Sequence, residues 1–229
     1  MARRSNGTDF LALWDQGVDE HPLDRAIGLV SAAEGIPRSE AAAMPIDARD
    51  RALFRFCAGQ FGSAIRLVAT CSECKADSEI EFSVSEVLAL APPPDRFVVS
   101  YRGQEIACRS PNSVDLAGVL TSPAPRKALL GGLIAAGEAD DELLDAAEAA
   151  LADRAGIATL SLANDCPECG AVTDVQFDIL DYAWRLITSE ARSLLRDIHV
   201  LARAYGWTSA EILALSPRRR AAHIAMVEA

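Results

Sequence analysis

The sequence predicts an α+β fold that is mostly helical, with a split, ribbon-like pair of β-hairpin knuckles and a small inserted subdomain. Apolar residues recur every three to four positions in both terminal segments, as on one face of a helix. Between them, two C-x-x-C pairs each lie between short stretches of alternating polarity, which is the pattern of a β-hairpin. Half of the 229 residues are hydrophobic, which is enough for a sizeable core.

Residues 1–62 predict an N-terminal helical segment. Residues 10–16 have helical spacing, and Pro22 suits the first turn of a second helix, which Gly35 ends. Asp47 is predicted to be the N-cap of a third helix. Cys57 falls on the apolar face of that helix and is therefore predicted to be a buried core residue.

Residues 63–90 and residues 157–182 predict two matching β-hairpins. Polar and apolar residues alternate before and after the turn in both segments, as in half-buried strands. An offset of 95 residues superimposes the two patterns, including Phe82 and Phe177 in the returning strands. Ser83, with an acidic residue three positions later, predicts a capping box at the start of the helix that follows.

Four cysteines at matching positions of these hairpins are the candidate metal ligands. Cys71 and Cys74 form the first C-x-x-C pair, and Cys166 and Cys169 form the second. A C-x-x-C turn directs two thiolates at one cation, and two such turns complete a tetrahedral shell for a structural Zn²⁺. The sequence therefore predicts a split zinc ribbon in which all four cysteines bind one ion.

Other interpretations of these cysteines stay open at this level. The thiols could simply pack in a core, or one knuckle could lack its metal partner, since the first knuckle has neither the proline nor the glycine of the second. A redox dithiol is a third interpretation, but strands rather than a helix start flank both pairs. In a reducing compartment, paired C-x-x-C elements are metal ligands more often than disulfides.

Residues 91–156, between the two hairpins, predict an inserted subdomain. After three consecutive prolines, alternating residues predict strands at residues 97–101 and 105–108, with Cys108 as an inert strand residue. Helices are predicted to follow over residues 113–120, 127–136 and 140–153. The acidic residues of the last helix are predicted to form a solvated face.

Residues 183–229 predict a C-terminal helical segment that carries the candidate partner surface. Seven apolar residues, spaced alternately three and four apart, form a seam that packs either on the chain's own core or on a partner helix. Arg218, Arg219 and Arg220 occupy the first turn of the last helix, where positive charge opposes the helix dipole. Together with Trp207 they are predicted to contact a partner, unless the arginines form only a solvated cluster.

Charge and hydropathy exclude several classes of partner. The 22 basic and 33 acidic side chains give a formal charge of −11, which repels phosphate, so no nucleic-acid partner is expected. No apolar run approaches the roughly 18 residues of a membrane span, so no membrane partner is expected. The apolar patch that follows residues 1–7 is too short for a signal peptide, which predicts a cytoplasmic location.

Catalytic motifs are missing from the sequence. There is no G-x-S-x-G, P-loop or G-x-G-x-x-G pattern. His21, the histidine that precedes the cysteines, does not stand in the H-x-E signature of zinc deaminases. A shell of four thiolates also leaves zinc no open position for water. We therefore expect neither enzymatic activity nor a small-molecule substrate.

Several motifs give the chain a resemblance to a known family. The C-terminal segment reads L-R-D-I-H, A-R-A-Y-G-W and E-I-L-A-L-S before the three arginines. The motifs, apart from the two C-x-x-C hairpins, lie at residues 13–14, 21–26, 47–51, 195–199, 202–207 and 211–216. With them the chain resembles the baseplate proteins related to the hub-assembly component of T-even phages, which are encoded beside tail genes in phages and contractile injection systems. Residues 91–156 match only loosely.

The resemblance implies a non-enzymatic structural or assembly component of a phage or contractile-injection-system tail baseplate. Its implied partners are other baseplate or tail proteins, or further copies of itself, and it would lie in the cytoplasm or in the assembled tail or particle. The alternative function is a zinc-ribbon adaptor that binds nucleic acid or transcription machinery. Glu73 and Glu168 occupy equivalent knuckle positions, and their charge disfavours that alternative.

Overall fold

The structure is a computed structural model that describes residues 7–135, 139–154 and 156–228. Residues 1–6, which bear on the prediction that there is no signal peptide, lie outside the described residues. The same is true of Ala136, the predicted last residue of the second inserted helix.

The described chain is a mostly helical α+β fold, as predicted. Its helices are α1 (Gly7–Gly17), α2 (Pro22–Glu34), α3 (Arg38–Ala43), α4 (Ile46–Phe61), α5 (Val84–Ala89), α6 (Ser113–Val119), α7 (Pro125–Leu133), α8 (Asp141–Ala152), α9 (Ile179–Tyr205), α10 (Ser209–Ala214) and α11 (Pro217–Glu228). Its strands are β1 (Ala64–Thr70), β2 (Asp77–Ser83), β3 (Arg96–Tyr101), β4 (Gln104–Arg109), β5 (Ser161–Asp165) and β6 (Val172–Gln176). A short 3-10 helix, Gly156–Thr159, precedes β5.

Within the described residues, the strands form three separate antiparallel hairpins, β1–β2, β3–β4 and β5–β6. In the first hairpin Leu67 pairs with Ile80, and in the third Leu162 pairs with Val175, so the repeat predicted from the sequence has the same register in both copies. The backbone N–H of Ser83 donates to Glu86 at 2.8 Å, which confirms the predicted capping box at the start of α5.

The main core lies between the N-terminal helices, the first hairpin and α9. Phe54 on α4 and Val30 on α2 are fully buried there, together with Ile187 and Leu194 of α9. The heptad-spaced seam of α9 therefore packs on the chain's own helices, and Leu201 at its C-terminal part is also fully buried. This burial favours the interpretation in which the seam packs on the chain's own core and not on a partner helix.

A second group of buried residues lies in the inserted segment, where β3–β4 packs against α7 and α8. Helix α7 ends at Leu133, before the predicted end, because Ile134 leaves the helix and forms a β-bridge with Cys108. Cys108 itself is a buried strand residue, as predicted.

Asp47 is not the N-cap of its helix, contrary to the prediction. Helix α4 begins at Ile46 after Pro45, and the buried Asp47 side chain lies inside its first turn. Its Oδ2 accepts from Arg51 Nε at 2.6 Å, and its Oδ1 accepts from the backbone N–H of Ile157 at 2.8 Å. A long-range contact to the chain that follows the insert thus replaces the local capping bond.

No helix in the described ranges combines the length and the apolar character that crossing a bilayer requires.

Candidate metal centre

The turns of the first and third hairpins bring four cysteine sulfurs together. The Sγ atoms of Cys71, Cys74, Cys166 and Cys169 all lie within 4.8 Å of one another. Two of these separations cross between the hairpins, at 3.7 Å between Cys71 and Cys169 and 3.5 Å between Cys74 and Cys166. The structure therefore brings together all four predicted ligands, although 92 residues separate the second from the third.

Both knuckles have the same backbone hydrogen bonds. The carbonyl of Cys71 accepts from the N–H of Lys75 at 3.2 Å, and the carbonyl of Cys166 accepts from the N–H of Gly170 at 2.9 Å. The N–H of each of these two cysteines in turn donates, at 2.9 Å, to the carbonyl five residues later. The repeat in the sequence is thus a repeat in hydrogen bonding, which orients the two thiols of each knuckle alike.

The residue that closes each knuckle has a left-handed backbone. Gly170 adopts φ 73°, and Lys75 adopts φ 64° at the equivalent position. Lysine has a Cβ and enters this region at a cost, whereas glycine does not. The Lys75 Nζ donates to the carbonyl of Ser72 at 2.8 Å and so holds the first knuckle. The first knuckle therefore has the shape of the second without its glycine.

The four-cysteine cluster lies at the surface of the fold with one side turned inwards. Cys71 and Cys166, the first cysteine of each pair, are buried, whereas Cys74 and Cys169 are exposed. The hairpins are also tied beside the cluster, since Asn164 Nδ2 donates to Ser78 Oγ at 2.8 Å. The cluster is thus held by both hairpins and remains reachable from solvent.

The electrostatics of the cluster favour a bound cation. The backbone N–H groups of Cys74 and Glu73 point at the sulfur of Cys71 and lower the pKa of its thiol to about 6. For Cys74, the N–H of Ala76 lowers the pKa, but the neighbouring sulfurs of the other pair outweigh it and raise the pKa to about 12. Four thiolates this close repel one another, and a cation among them removes that repulsion. The cluster could therefore hold one metal ion.

The two remaining cysteines do not belong to the cluster. Cys57 is buried in the main core, and burial raises the pKa of its thiol to about 12. Burial also raises the pKa of Cys108 in the inserted segment. Both thiols are therefore neutral and unreactive at ordinary pH, as predicted for packed residues.

Arg220 corrects the predicted partner surface. Its side chain is buried, and its Nε donates to Asp197 Oδ2 of α9 at 2.8 Å. This carboxylate within the chain compensates the positive charge at the start of α11, so Arg220 is not available to a partner. Arg218 and Arg219 are exposed.

Trp207 is half-buried in a cluster of rings. It stacks on Tyr205 with ring centroids 4.6 Å apart, and the ring of His223 meets it edge-on at 5.0 Å. Its contacts therefore fix the chain between α9 and α11, and only part of the ring is open to a partner.

A buried network of charges was not predicted from the sequence. In α4, Arg49 pairs with Asp50 at 2.7 Å, next to the pair that Asp47 forms with Arg51. Arg49 also reaches the buried Ser113 of the inserted segment at 3.2 Å. Four charged residues within five positions are usually interpreted as a solvated helix face, so only the tertiary structure identifies this network.

Comparison of the chain with family models, with curated proteins and with solved structures finds no match. The resemblance to baseplate proteins therefore depends on the sequence motifs alone.

Proposed function

We propose that the four cysteines bind one structural Zn²⁺. The observation that carries this proposal is the spacing of the sulfurs. Zinc–sulfur bonds of about 2.3 Å in a tetrahedron place the sulfurs about 3.8 Å apart. Two of the cross-hairpin pairs lie 3.7 Å and 3.5 Å apart, and all four sulfurs lie within 4.8 Å of one another. Thiolate-rich tetrahedral sets select zinc, or iron in clusters, over hard cations.

In this proposal the ion links two hairpins that are distant in the chain. The inserted segment, residues 91–156, begins and ends between the knuckles, so the ion closes a long loop that contains it. Metal binding to preorganised thiolates contributes its free energy directly to folding. The ion is bound on four sides by protein, which leaves no position for a water nucleophile, and the proposed role is therefore structural and not catalytic.

We propose further that the chain is a non-enzymatic structural or assembly component of a contractile-tail baseplate, with other baseplate or tail proteins as partners. The support is the resemblance carried by the N-terminal and C-terminal motifs. Exposed Glu79 on β2, and Glu73 and Glu168 in the two knuckles, make the hairpin surface acidic. Such a surface disfavours the alternative role of a nucleic-acid adaptor.

Deleting the gene from its phage or injection system tests this function. We expect electron micrographs of the deletion to lack complete baseplates. Wild-type protein should restore them, whereas Cys71→Ser/Cys74→Ser should not. The double variant Cys57→Ala/Cys108→Ala, which changes two cysteines outside the cluster, is the matched control and should restore them. Normal contractile tails in the deletion would contradict the baseplate assignment without affecting the zinc assignment.

A further inference from the structure

Three exposed arginines form a row along the outer face of α9. Arg192, Arg196 and Arg203 lie four and seven positions apart, so they share one side of the helix. All three are exposed, whereas Ile187, Leu194 and Leu201 line the opposite, buried side. We refer to Arg192, Arg196 and Arg203 as the basic row.

The basic row has no counter-charge of its own. Within residues 7–135, 139–154 and 156–228, none of its three guanidinium groups makes an ion pair or a hydrogen bond. Three arginines of the inserted segment, by contrast, are paired with carboxylates: Arg102 with Asp140 and Glu142, Arg109 with Asp115, and Arg126 with Asp145 and Glu148. In a chain with 33 acidic and 22 basic side chains, a row of unpaired arginines is unexpected.

The charge around the basic row differs from that of the whole chain. Residues 179–228 contain seven arginines and five acidic side chains, although the chain has a formal charge of −11. One of those acids, Asp197, is already paired with Arg220. Screening limits the reach of distant charges to about 8 Å at physiological ionic strength, so the local positive charge decides what binds at this face.

The same face carries a groove with further hydrogen-bonding groups. An open groove of about 580 Å³ runs beside Arg192 and Arg196 and is lined by Ser189 and Ser193. Thr188 also lines it, and its buried Oγ1 has no hydrogen-bond partner in the described part of the chain. Arginine and hydroxyl donors together suit carboxylate groups.

We propose that the basic row is a docking surface for an acidic segment of a partner protein. Leu195, next to Arg196 on α9, is 43% exposed, and an exposed apolar side chain beside arginine suits a protein interface, whose core is apolar and enriched in arginine. A nucleic acid longer than the basic row would extend its phosphates over the rest of a chain whose formal charge is −11, whereas a short acidic segment would end on the row. The proposal depends on neither the zinc nor the baseplate assignment.

The test compares two charge reversals of equal size. Arg192→Glu/Arg196→Glu changes the basic row, and Arg96→Glu/Lys127→Glu changes two exposed cations of the inserted segment that are unpaired among the described residues. The zinc-loaded full chain is titrated into a fluorescent glutamate peptide of about 16 residues, at about 50 mM salt where screening is weak. We expect the first variant to bind at least roughly tenfold more weakly than wild type, and the control to bind within about twofold of it.

Several results would overturn the proposal. An equal loss of affinity in both variants would mean that net charge, and not the basic row, governs binding. Failure of the peptide to bind the wild type would also overturn the proposal. Tighter binding of a single-stranded DNA of equal charge would make the surface a nucleic-acid site. Self-association of the wild type that disappears in Arg192→Glu/Arg196→Glu, measured by sedimentation velocity, would make the occupant a second copy of this chain.

Discussion

Buried charged residues of α4 contact parts of the chain that are distant in sequence. Asp47 contacts Arg51 within α4 and the backbone of Ile157 after the insert, and Arg49 contacts Ser113 inside it. Such groups do not stabilise a fold simply by being paired, because burying a charge costs several kcal/mol. Removing one partner, however, leaves the other charge buried alone, and that loss is large.

We predict that Asp47→Asn destabilises the protein by about 3 kcal/mol, because it leaves the buried Arg51 without its counter-charge. The control is Asp181→Asn, which breaks an exposed aspartate–arginine pair of the same i,i+4 spacing, with Arg185. Asp181→Asn should lower the free energy of unfolding by less than about 1 kcal/mol. Urea unfolding of both variants measures the free energies, and equal losses would contradict a buried Asp47–Arg51 ion pair.

Asp50 should make stability depend on pH. Burial raises the pKa of its carboxyl from 3.8 to about 6, which Asp47 and Asp178 reinforce and Arg49 opposes. Because the pKa is higher in the folded than in the unfolded state, the contribution of Asp50 is fully present below about pH 4 and is lost as the pH rises through about 6.

We therefore predict that Asp50→Asn gains stability relative to wild type as the pH rises. The difference in free energy of unfolding should change by roughly 2 kcal/mol between about pH 4 and about pH 7. Comparing the two proteins at each pH cancels the titration of the cysteines. A difference that stays constant, or that changes in the opposite direction, would mean that Arg49 holds this carboxyl ionised.

At the scale of elements, the two knuckles fold alike from different turn residues. Gly170 closes one at φ 73° and Lys75 closes the other at φ 64°. The shared hydrogen bonds between the carbonyl of the first cysteine and the N–H four residues later impose this conformation. A glycine at this position is therefore favourable but not required, because it adopts the left-handed conformation without the strain that a residue with a Cβ incurs.

We predict that Gly170→Ala and Gly118→Ala change stability in opposite directions. A Cβ at either position meets no neighbouring atom within 4 Å, so only the backbone conformation determines the change in stability. Gly170→Ala should lower the free energy of unfolding by about 1 kcal/mol, because alanine is strained in the left-handed conformation. Gly118→Ala, within helix α6, should raise it by about 0.5 to 1 kcal/mol. Thermal unfolding measures both signs, and a gain at Gly170 would contradict the described turn.

Local patterns in the sequence predicted the elements, and tertiary contacts explain where those predictions were wrong. The hairpins and α9 follow from residues close in sequence, whose spacing fixes which face is buried. Short α3 was missed, because one and a half turns give too little periodicity. Three predictions were wrong because of contacts with groups distant in sequence. Asp47 bonds to Ile157 instead of capping its helix. Arg220 pairs with Asp197 instead of facing solvent or a partner, and α7 ends early because Ile134 pairs with Cys108.

At the scale of the whole molecule, the four-cysteine cluster was predictable and the basic row was not. The cysteines could be identified because their chemistry is rare and both pairs occur at one offset. Arginines, by contrast, occur throughout the chain, and only the structure reveals which of them have carboxylate partners. Because the cluster joins the hairpins on either side of residues 91–156, the four cysteines are central to the fold.

The most direct test is the zinc content of three proteins purified under reducing conditions. We predict about one zinc per chain in the wild type and in Cys57→Ala/Cys108→Ala. In Cys71→Ser/Cys74→Ser we predict less than about a tenth of that amount, with a lower melting temperature, because the second knuckle alone supplies only two ligands. Undiminished zinc in Cys71→Ser/Cys74→Ser, or an equal loss in Cys57→Ala/Cys108→Ala, would contradict a site shared by the two hairpins.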